Sequence, residues 1–173
     1  MVGRTTTAFG AIALAVGLAG GAMAQDGEAA DPSVGPVTHL PLPRFVSLKA
    51  VEANARRGPS TTHRIDWVFQ RRGMPLVVVA EYEHWRRVVD RDGQGGWVYY
   101  TMLTGTRSVL VEDEIALQTR PDTHAPERAR LEAGVVARLD RCDAGWCELS
   151  AGGYQGWAPQ EALWGDDLSD IGG

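Results

Sequence analysis

The chain alternates short apolar segments with turn residues and shows little of the 3.6-residue periodicity of an amphipathic helix. The segments are rich in Val, Trp and Tyr, and Gly, Pro or Asp residues bound them. Such segments are typical of short β-strands, and their spacing favours small barrels or a sandwich. Residues 125–132 (APERARLE) are the exception, because they predict a single helical turn. The strand segments include RFVSLKAV, PLVVVAEY, WRRVVD, GWVYY, SVLVEDEIAL, GVVARLDRC and WCELS.

A glycine and two tryptophans recur at nearly the same spacing in both halves of the chain. The spacing is twelve and twelve residues in the first copy, and twelve and eleven in the second. A Gly-rich run precedes each second tryptophan, DGQGGW in one copy and GGYQGW in the other. Two copies of about 60 residues therefore account for residues 44–165, as expected of an internal repeat. The recurring residues are Gly73, Trp85 and Trp97, then Gly134, Trp146 and Trp157.

Each copy predicts a three-stranded meander. The glycine begins one strand, a tight turn leads into a strand that starts with tryptophan, and a Gly-rich turn leads into a short Gly-Trp strand. A domain of this size buries only about 60% of its unfolded surface, so large aromatic side chains are needed in its core. We therefore expect the four tryptophans at the core or its edge rather than on a ligand platform.

These motifs resemble bacterial SH3-like (SH3b) domains. The resemblance rests on the R-x-G-P turn at residues 56–59, the G-x(11)-W-x(11)-GW spacing and the closing LW. The first copy, together with C-x4-C and ALWG, is similar to tandem SH3b proteins of the alphaproteobacterial exported type. The second copy has TRPD where the first has RRGPS. The resemblance implies an all-β fold of two tandem small barrels, and binding of cell-envelope material, commonly cell-wall peptide.

Composition divides the chain into five parts. The segment before the first copy contains Pro, Gly and acidic residues and has no apolar periodicity. This composition predicts a flexible linker. A short acidic tail follows the second copy. The predicted parts are a signal peptide at 1–24, the linker at 25–43, repeat 1 at 44–106, repeat 2 at 107–165 and the acidic tail at 166–173.

The N-terminus has the pattern of a cleaved secretory signal. Arg4 precedes an apolar run at 8–21, and Ala22 and Ala24 supply the small-x-small cleavage site, with Gln25 as the first mature residue. The apolar run is shorter than the roughly 20 residues that a membrane span requires. We therefore expect a periplasmic or secreted protein with no integral membrane segment in the mature chain.

The two cysteines, Cys142 and Cys147, flank a predicted turn, DAG, between two strands. Cross-strand neighbours lie within the distance that a disulfide accepts, and an oxidising compartment favours that bond. Zinc would need about four ligands, but the histidines are scattered, and a redox pair would prefer C-x-x-C. The sequence favours a structural disulfide, with free thiols and a metal or redox pair as alternatives. No metal or cofactor is expected.

Charge is unevenly distributed between the copies. The whole chain carries a net charge of −5, which excludes general affinity for nucleic acid. Repeat 1 has ten basic and six acidic residues, a net charge of +4, and repeat 2 has six and ten, a net charge of −4. This asymmetry fits solvated strand faces. It also fits electrostatic docking of the repeats, or contact of repeat 1 with an anionic partner.

The chain carries no recognised catalytic motif, neither G-x-S-x-G nor H-E-x-x-H. The two repeats account for the part of the chain that is expected to fold, which leaves no room for a catalytic domain in this sequence. We therefore predict a non-catalytic binding protein whose partner is peptidoglycan peptide or an envelope protein. The alternatives are a periplasmic protein–protein adaptor and, more remotely, an accessory of a cell-wall hydrolase.

The candidate ligand-binding residues are aromatic and arginine side chains of repeat 1. Tyr99 and Tyr100 follow Trp97, and strand alternation predicts that one of the two points inward and the other outward. The candidates are Tyr82, Trp85, Arg87, Tyr99 and Tyr100.

Overall fold

A computed structural model describes residues 34–168. They form two seven-stranded antiparallel sheets of identical strand order, with two short 3-10 turns, which confirms the predicted all-β class and the tandem barrels. The predicted signal peptide, including its cleavage residues Ala22, Ala24 and Gln25, lies outside the described residues. So do residues 169–173 of the predicted acidic tail.

Repeat 1 forms the first sheet, in the order β3-β2-β6-β5-β4-β1-β7. Strands β4, β5 and β6 are the predicted meander, and a 3-10 turn at Tyr100–Met102 leads from β6 into β7. The strands are β1 (Arg44–Leu48), β2 (Ala53–Arg56), β3 (Ile65–Phe69), β4 (Pro75–Tyr82), β5 (Trp85–Val89), β6 (Gly95–Tyr99) and β7 (Leu103–Thr104).

Repeat 2 repeats this order as β10-β9-β13-β12-β11-β8-β14. Its 3-10 turn, Gln160–Ala162, precedes β14 as the turn in repeat 1 precedes β7. The strands are β8 (Ser108–Val111), β9 (Ile115–Gln118), β10 (Glu127–Leu131), β11 (Val136–Asp143), β12 (Trp146–Ala151), β13 (Tyr154–Pro159) and β14 (Leu163–Trp164).

The helical turn predicted at 125–132 is wrong, because most of this segment forms the edge strand β10, which pairs with β9. Its side chains alternate as a half-buried strand requires. Leu131 is buried and Ala129 is partly buried, whereas Glu127, Arg128 and Arg130 are exposed. The sheet edge therefore outweighs the local helix propensity of this charged segment.

Each repeat has its own apolar core between the meander and the remaining strands. Val88 and Val98 face this core in repeat 1, so the tryptophans of the same strands lie on the opposite face of the sheet. Trp85 is nevertheless buried, and Trp97, Trp146 and Trp157 are partly buried. The burial of Trp85 agrees with the expectation that the tryptophans lie at the core or its edge, whereas the other three are only partly buried, and none of the four belongs to the core cluster of its repeat.

Cys142 and Cys147 form the predicted disulfide across the β11–β12 hairpin, with their Cα atoms 4.0 Å apart. The connecting turn is tighter than predicted, because Asp143 pairs with Trp146 and only two residues remain between them. Ala144 and Gly145 have φ values of 48° and 81°, the left-handed conformation that two-residue hairpin turns require.

The corresponding position of repeat 1 holds an ion pair. Glu81 lies opposite Arg86 in the β4–β5 hairpin, just as Cys142 lies opposite Cys147. The Glu81 side chain is fully buried and accepts a hydrogen bond of 2.6 Å from the Arg44 guanidinium. Arg86 Nε lies 3.4 Å from the same carboxylate oxygen. A buried charge network therefore cross-links repeat 1 where a covalent bond cross-links repeat 2.

Residues 34–41, in the predicted linker segment, complete this network. Val34 and Pro41 form an isolated β-bridge, and the intervening loop donates to Glu81 through the Val37 amide at 3.1 Å and the Thr38 amide at 2.9 Å. The Thr38 hydroxyl donates to the other carboxylate oxygen at 2.7 Å. Burial alone would raise the pKa of Glu81, but these hydrogen bonds outweigh it and lower that pKa from 4.5 to about 2.

The two repeats pack against each other. Phe45 and Val77 of repeat 1 form a buried cluster with Trp164 of repeat 2, and the rings of Phe45 and Trp164 meet edge to face at 5.3 Å. The Ser108 hydroxyl donates to the Gly73 carbonyl across this seam. One ion pair between Arg91 and Glu112 also joins the described parts of the repeats, on an exposed surface. The seam is thus built mainly from apolar contacts and hydrogen bonds.

Candidate binding groove

Strand register places four of the five candidate side chains on one face of the repeat 1 meander. Tyr82, Trp85 and Tyr99 are directly paired across β4, β5 and β6, so they form one row. Arg87 lies in the next row, opposite Trp97. Directly paired residues of adjacent strands share a sheet face, so this arrangement follows from the pairing of the meander.

Aromatic rings gather around Tyr99. Its ring meets Trp85 edge to face at 5.4 Å, and lies 5.3 Å from Tyr100 and 5.9 Å from His84. Tyr99 is 38% exposed and Tyr100 46%, whereas Trp85 is only 9% exposed. Trp85 is therefore the buried member of the cluster, on which Tyr99 packs, and the two tyrosines expose their rings to solvent.

The backbone fixes this cluster at the end of the meander. The Tyr100 amide donates to the His84 carbonyl at 2.9 Å, which holds the start of the 3-10 turn against the β4–β5 turn. The prediction that Tyr99 and Tyr100 point to opposite sides is wrong, since both are exposed. Strand alternation ends at Tyr99, because Tyr100 already belongs to the 3-10 turn.

A groove of about 580 Å³ lies beside these rings. Trp85 and Tyr99 form aromatic walls, and Glu52 and Arg56 add one charge of each sign. Tyr82, Tyr100 and Arg87 do not line it. The strand pattern alone does not identify Glu52, Asn54, Arg56, Thr61 and Met102, because they belong to the segment around β2, the following loop and the 3-10 turn. The lining residues are Glu52, Ala53, Asn54, Arg56, Thr61, Trp85, Tyr99 and Met102.

Repeat 2 keeps the backbone of this site and the tryptophan of its central strand, but none of its tyrosines. Asp143, Trp146 and Pro159 form the row that corresponds to Tyr82, Trp85 and Tyr99. The Gln160 amide donates to the Gly145 carbonyl at 2.9 Å, as Tyr100 does to His84 in repeat 1. The candidate groove is therefore a feature of repeat 1.

Two further features bear on the candidate chemistry. The sulfurs of Cys142 and Cys147 and a carboxylate oxygen of Asp166 lie within 4.8 Å of one another, but the disulfide engages both sulfurs. Within residues 34–168, no helix has the length and apolar character needed to cross a membrane.

Two solved structures are similar over about three quarters of the chain. They are NlpC2 and NlpC1 from Trichomonas vaginalis, each 12% identical, with TM-scores of 0.36 and 0.33. The matches cover 76% and 75% of this chain, and 51% and 48% of the NlpC2 and NlpC1 chains, so this chain spans about half of their length. A search of curated proteins finds no match.

A family model described as bacterial SH3 domain matches the chain twice, at residues 49–105 and 111–165. Domains of this family are generally modules that bind the cell wall. The two matches fall in the two sheets, which share one strand order, and together they cover more than half of the sequence. The chain therefore belongs to the bacterial SH3 domain family, with two such domains in tandem.

Proposed function

We propose that this protein is an exported, non-catalytic binding module that contacts peptidoglycan peptide through the groove of repeat 1. The observation that carries the proposal is the aromatic cluster of Trp85, Tyr99 and Tyr100 beside the 580 Å³ groove. Repeat 2 has Pro159 and Gln160 in place of the two tyrosines, so the duplicated fold does not itself require them.

The groove has the chemistry of a peptide site. Its volume lies in the range of pockets that hold small ligands, and aromatic rings offer contact area at little cost in conformational entropy. Arg56 can pair with a carboxylate of the ligand and Glu52 with an amine. A cell-wall peptide offers both groups as well as methyl side chains.

Binding without catalysis is supported by the state of the cysteines. Cys147 is fully buried and bonded to Cys142, so neither sulfur is a free thiolate for nucleophilic attack. The disulfide and the family also fit an exported protein, in agreement with the signal peptide that the sequence predicts.

The test is co-sedimentation of the protein with purified sacculi. Replacing Tyr99 and Tyr100 together by alanine should weaken binding about tenfold or more, because truncating a central aromatic contact costs about 1–2 kcal/mol. Tyr154→Ala is the matched control, since Tyr154 is an exposed tyrosine on β13 of repeat 2. Absence of wild-type binding, or equal binding by all variants, would refute the proposal.

A second candidate function is that of a protein–protein adaptor. The edge strand β3 exposes three neighbouring apolar side chains, Ile65, Trp67 and Val68, and an edge strand can accept a strand from a partner. An adaptor should fail to sediment with sacculi and should retain a defined envelope protein in affinity capture.

A further inference from the structure

A second cavity lies at the seam between the repeats, and it shares no lining residue with the aromatic groove. Its volume is about 420 Å³, again within the range of small-molecule sites. Both repeats contribute to it, so neither repeat can form it alone. The lining residues are Ser47, Leu48, Lys49, Arg72, Gly73, Thr104, Thr106, Arg107, Ser108, Val136 and Arg138.

The charge of this cavity is one-sided. Four of its lining residues are basic, Lys49 and Arg72 from repeat 1 and Arg107 and Arg138 from repeat 2, and none is acidic. The chain as a whole has more acidic than basic residues, 22 against 17, so this segregation does not follow from composition. Like charges gathered around one cavity repel each other, and the concave shape focuses their field on an anion.

Only part of this positive charge is neutralised within the protein. Arg138 pairs with Asp140 at 2.7 Å. Arg107 donates to the backbone carbonyls of Gly165 and Asp166, at 2.8 and 2.7 Å, which carry no formal charge. Within residues 34–168, Lys49 and Arg72 have exposed side chains that make no hydrogen bond or ion pair. These two side chains are therefore available to a ligand.

The hydroxyl groups of the cavity are largely used to hold the seam. The Ser47 hydroxyl donates to the Thr106 carbonyl at 2.6 Å, and the Ser108 hydroxyl donates to the Gly73 carbonyl. Leu48 and Val136 add apolar surface to the lining. The groups left to recognise a ligand are thus cationic nitrogens beside a small apolar surface.

We propose that the seam cavity binds a small organic oxyanion, whose carboxylate or phosphate group is held by Lys49 and Arg72 and faces Arg107 and Arg138. Such a ligand bridges the two repeats, and its binding stabilises their packing. This site is distinct from the aromatic groove of repeat 1. A failed test of the seam cavity would therefore leave the proposed function unaffected, and a failed test of the groove would leave the seam cavity unaffected.

The test measures thermal unfolding and calorimetric binding of the full mature protein with two probes, citrate and inorganic phosphate. Ionic strength is held constant with sodium chloride, so that general screening is the same in every sample. At a probe concentration one hundred times Kd, we expect the unfolding midpoint to rise by about 5–10 °C. A response to citrate alone identifies carboxylate as the recognised group, and a response to phosphate alone identifies phosphate.

The matched variants decide whether the seam cavity is responsible. Lys49→Gln with Arg72→Gln should weaken binding about tenfold or more, since each removes a charged hydrogen-bond donor. Arg57→Gln with Arg64→Gln removes the same two charges from repeat 1 outside the cavity and should leave binding unchanged. Far-UV circular dichroism checks that each variant is folded. If the double variant does not fold, the single variants Lys49→Gln and Arg72→Gln are measured in its place.

Three results would overturn the proposal. The first is the absence of any effect of either probe beyond that of sodium chloride. The second is undiminished binding by the Lys49 and Arg72 variants, and the third is an equal loss in the control variant.

Discussion

Glu81→Gln tests whether the buried charge network stabilises repeat 1. The substitution keeps the size and one carbonyl oxygen of the side chain but removes its charge. It leaves the Arg44 and Arg86 guanidinium groups without their carboxylate partner, in side chains that are only 17% and 9% exposed. Losing one partner of a buried ion pair costs about 3–5 kcal/mol.

The pKa of Glu81 gives a second measure of the same effect. Folding lowers this pKa from 4.5 to about 2, which corresponds to about 3 kcal/mol of stability. Because the folded pKa is the lower one, this stability is fully present above about pH 4.5 and is lost as the pH falls through 2. Of the 3 kcal/mol, about 1 kcal/mol should remain at pH 2.5.

The assay is urea-induced unfolding of wild type and Glu81→Gln at pH 7 and at pH 2.5. We expect the two proteins to differ by about 3 kcal/mol at pH 7 and by much less at pH 2.5. Asp66→Asn is the matched control, because Asp66 also binds two arginines, Arg57 at 3.0 Å and Arg64 at 2.7 Å, on an exposed surface. If both variants cost the same, or the difference persists at pH 2.5, burial of the network is not what stabilises the hairpin.

Two further predictions concern repeat 2 and the seam. Replacing Cys142 and Cys147 by serine should lower the free energy of unfolding by about 2 kcal/mol, because the bond closes a six-residue loop in the unfolded chain; two free thiols titrated in the native protein would contradict the bond itself. Trp164→Ala should cost about 3–5 kcal/mol and separate the unfolding of the repeats into two transitions, since Trp164 packs on Phe45 across the seam. A single, unshifted transition in calorimetry would show that the packing of Trp164 on Phe45 is not what couples the two repeats.

The fold could be predicted because its signals are local and occur twice. The spacing of Gly73, Trp85 and Trp97 describes one meander, and each strand of it is bounded by turn residues within a few positions. The disulfide was predictable for the same reason, since a short hairpin brings Cys142 and Cys147 opposite each other. Residues 125–132 show the limit of local reasoning, because pairing with β9 decides their conformation.

The candidate sites depend on contacts between distant parts of the chain. Thr38 reaches Glu81 across 43 residues, and no periodicity in either segment indicates that contact. The four basic residues of the seam cavity come from positions 49, 72, 107 and 138, in both repeats. Lys49 and Arg72 belong to the basic excess that the sequence shows in repeat 1, whereas Arg107 and Arg138 come from repeat 2, which has an acidic excess. The convergence of the four was not visible in the sequence, because it follows from how the two sheets pack.

One hairpin position shows how the two repeats have diverged under the same fold. Glu81 and Arg86 in repeat 1 and Cys142 and Cys147 in repeat 2 occupy the same cross-strand pair. The disulfide cross-links its hairpin without help from the rest of the chain, whereas the Glu81 carboxylate needs donors from Arg44 and Thr38. Repeat 1 is therefore sensitive to acid and to the contacts of residues 34–41, and repeat 2 is sensitive to reduction. Because the aromatic groove lies beside the hairpin that depends on charge, ligand binding there should follow the integrity of the Glu81 network rather than that of the disulfide.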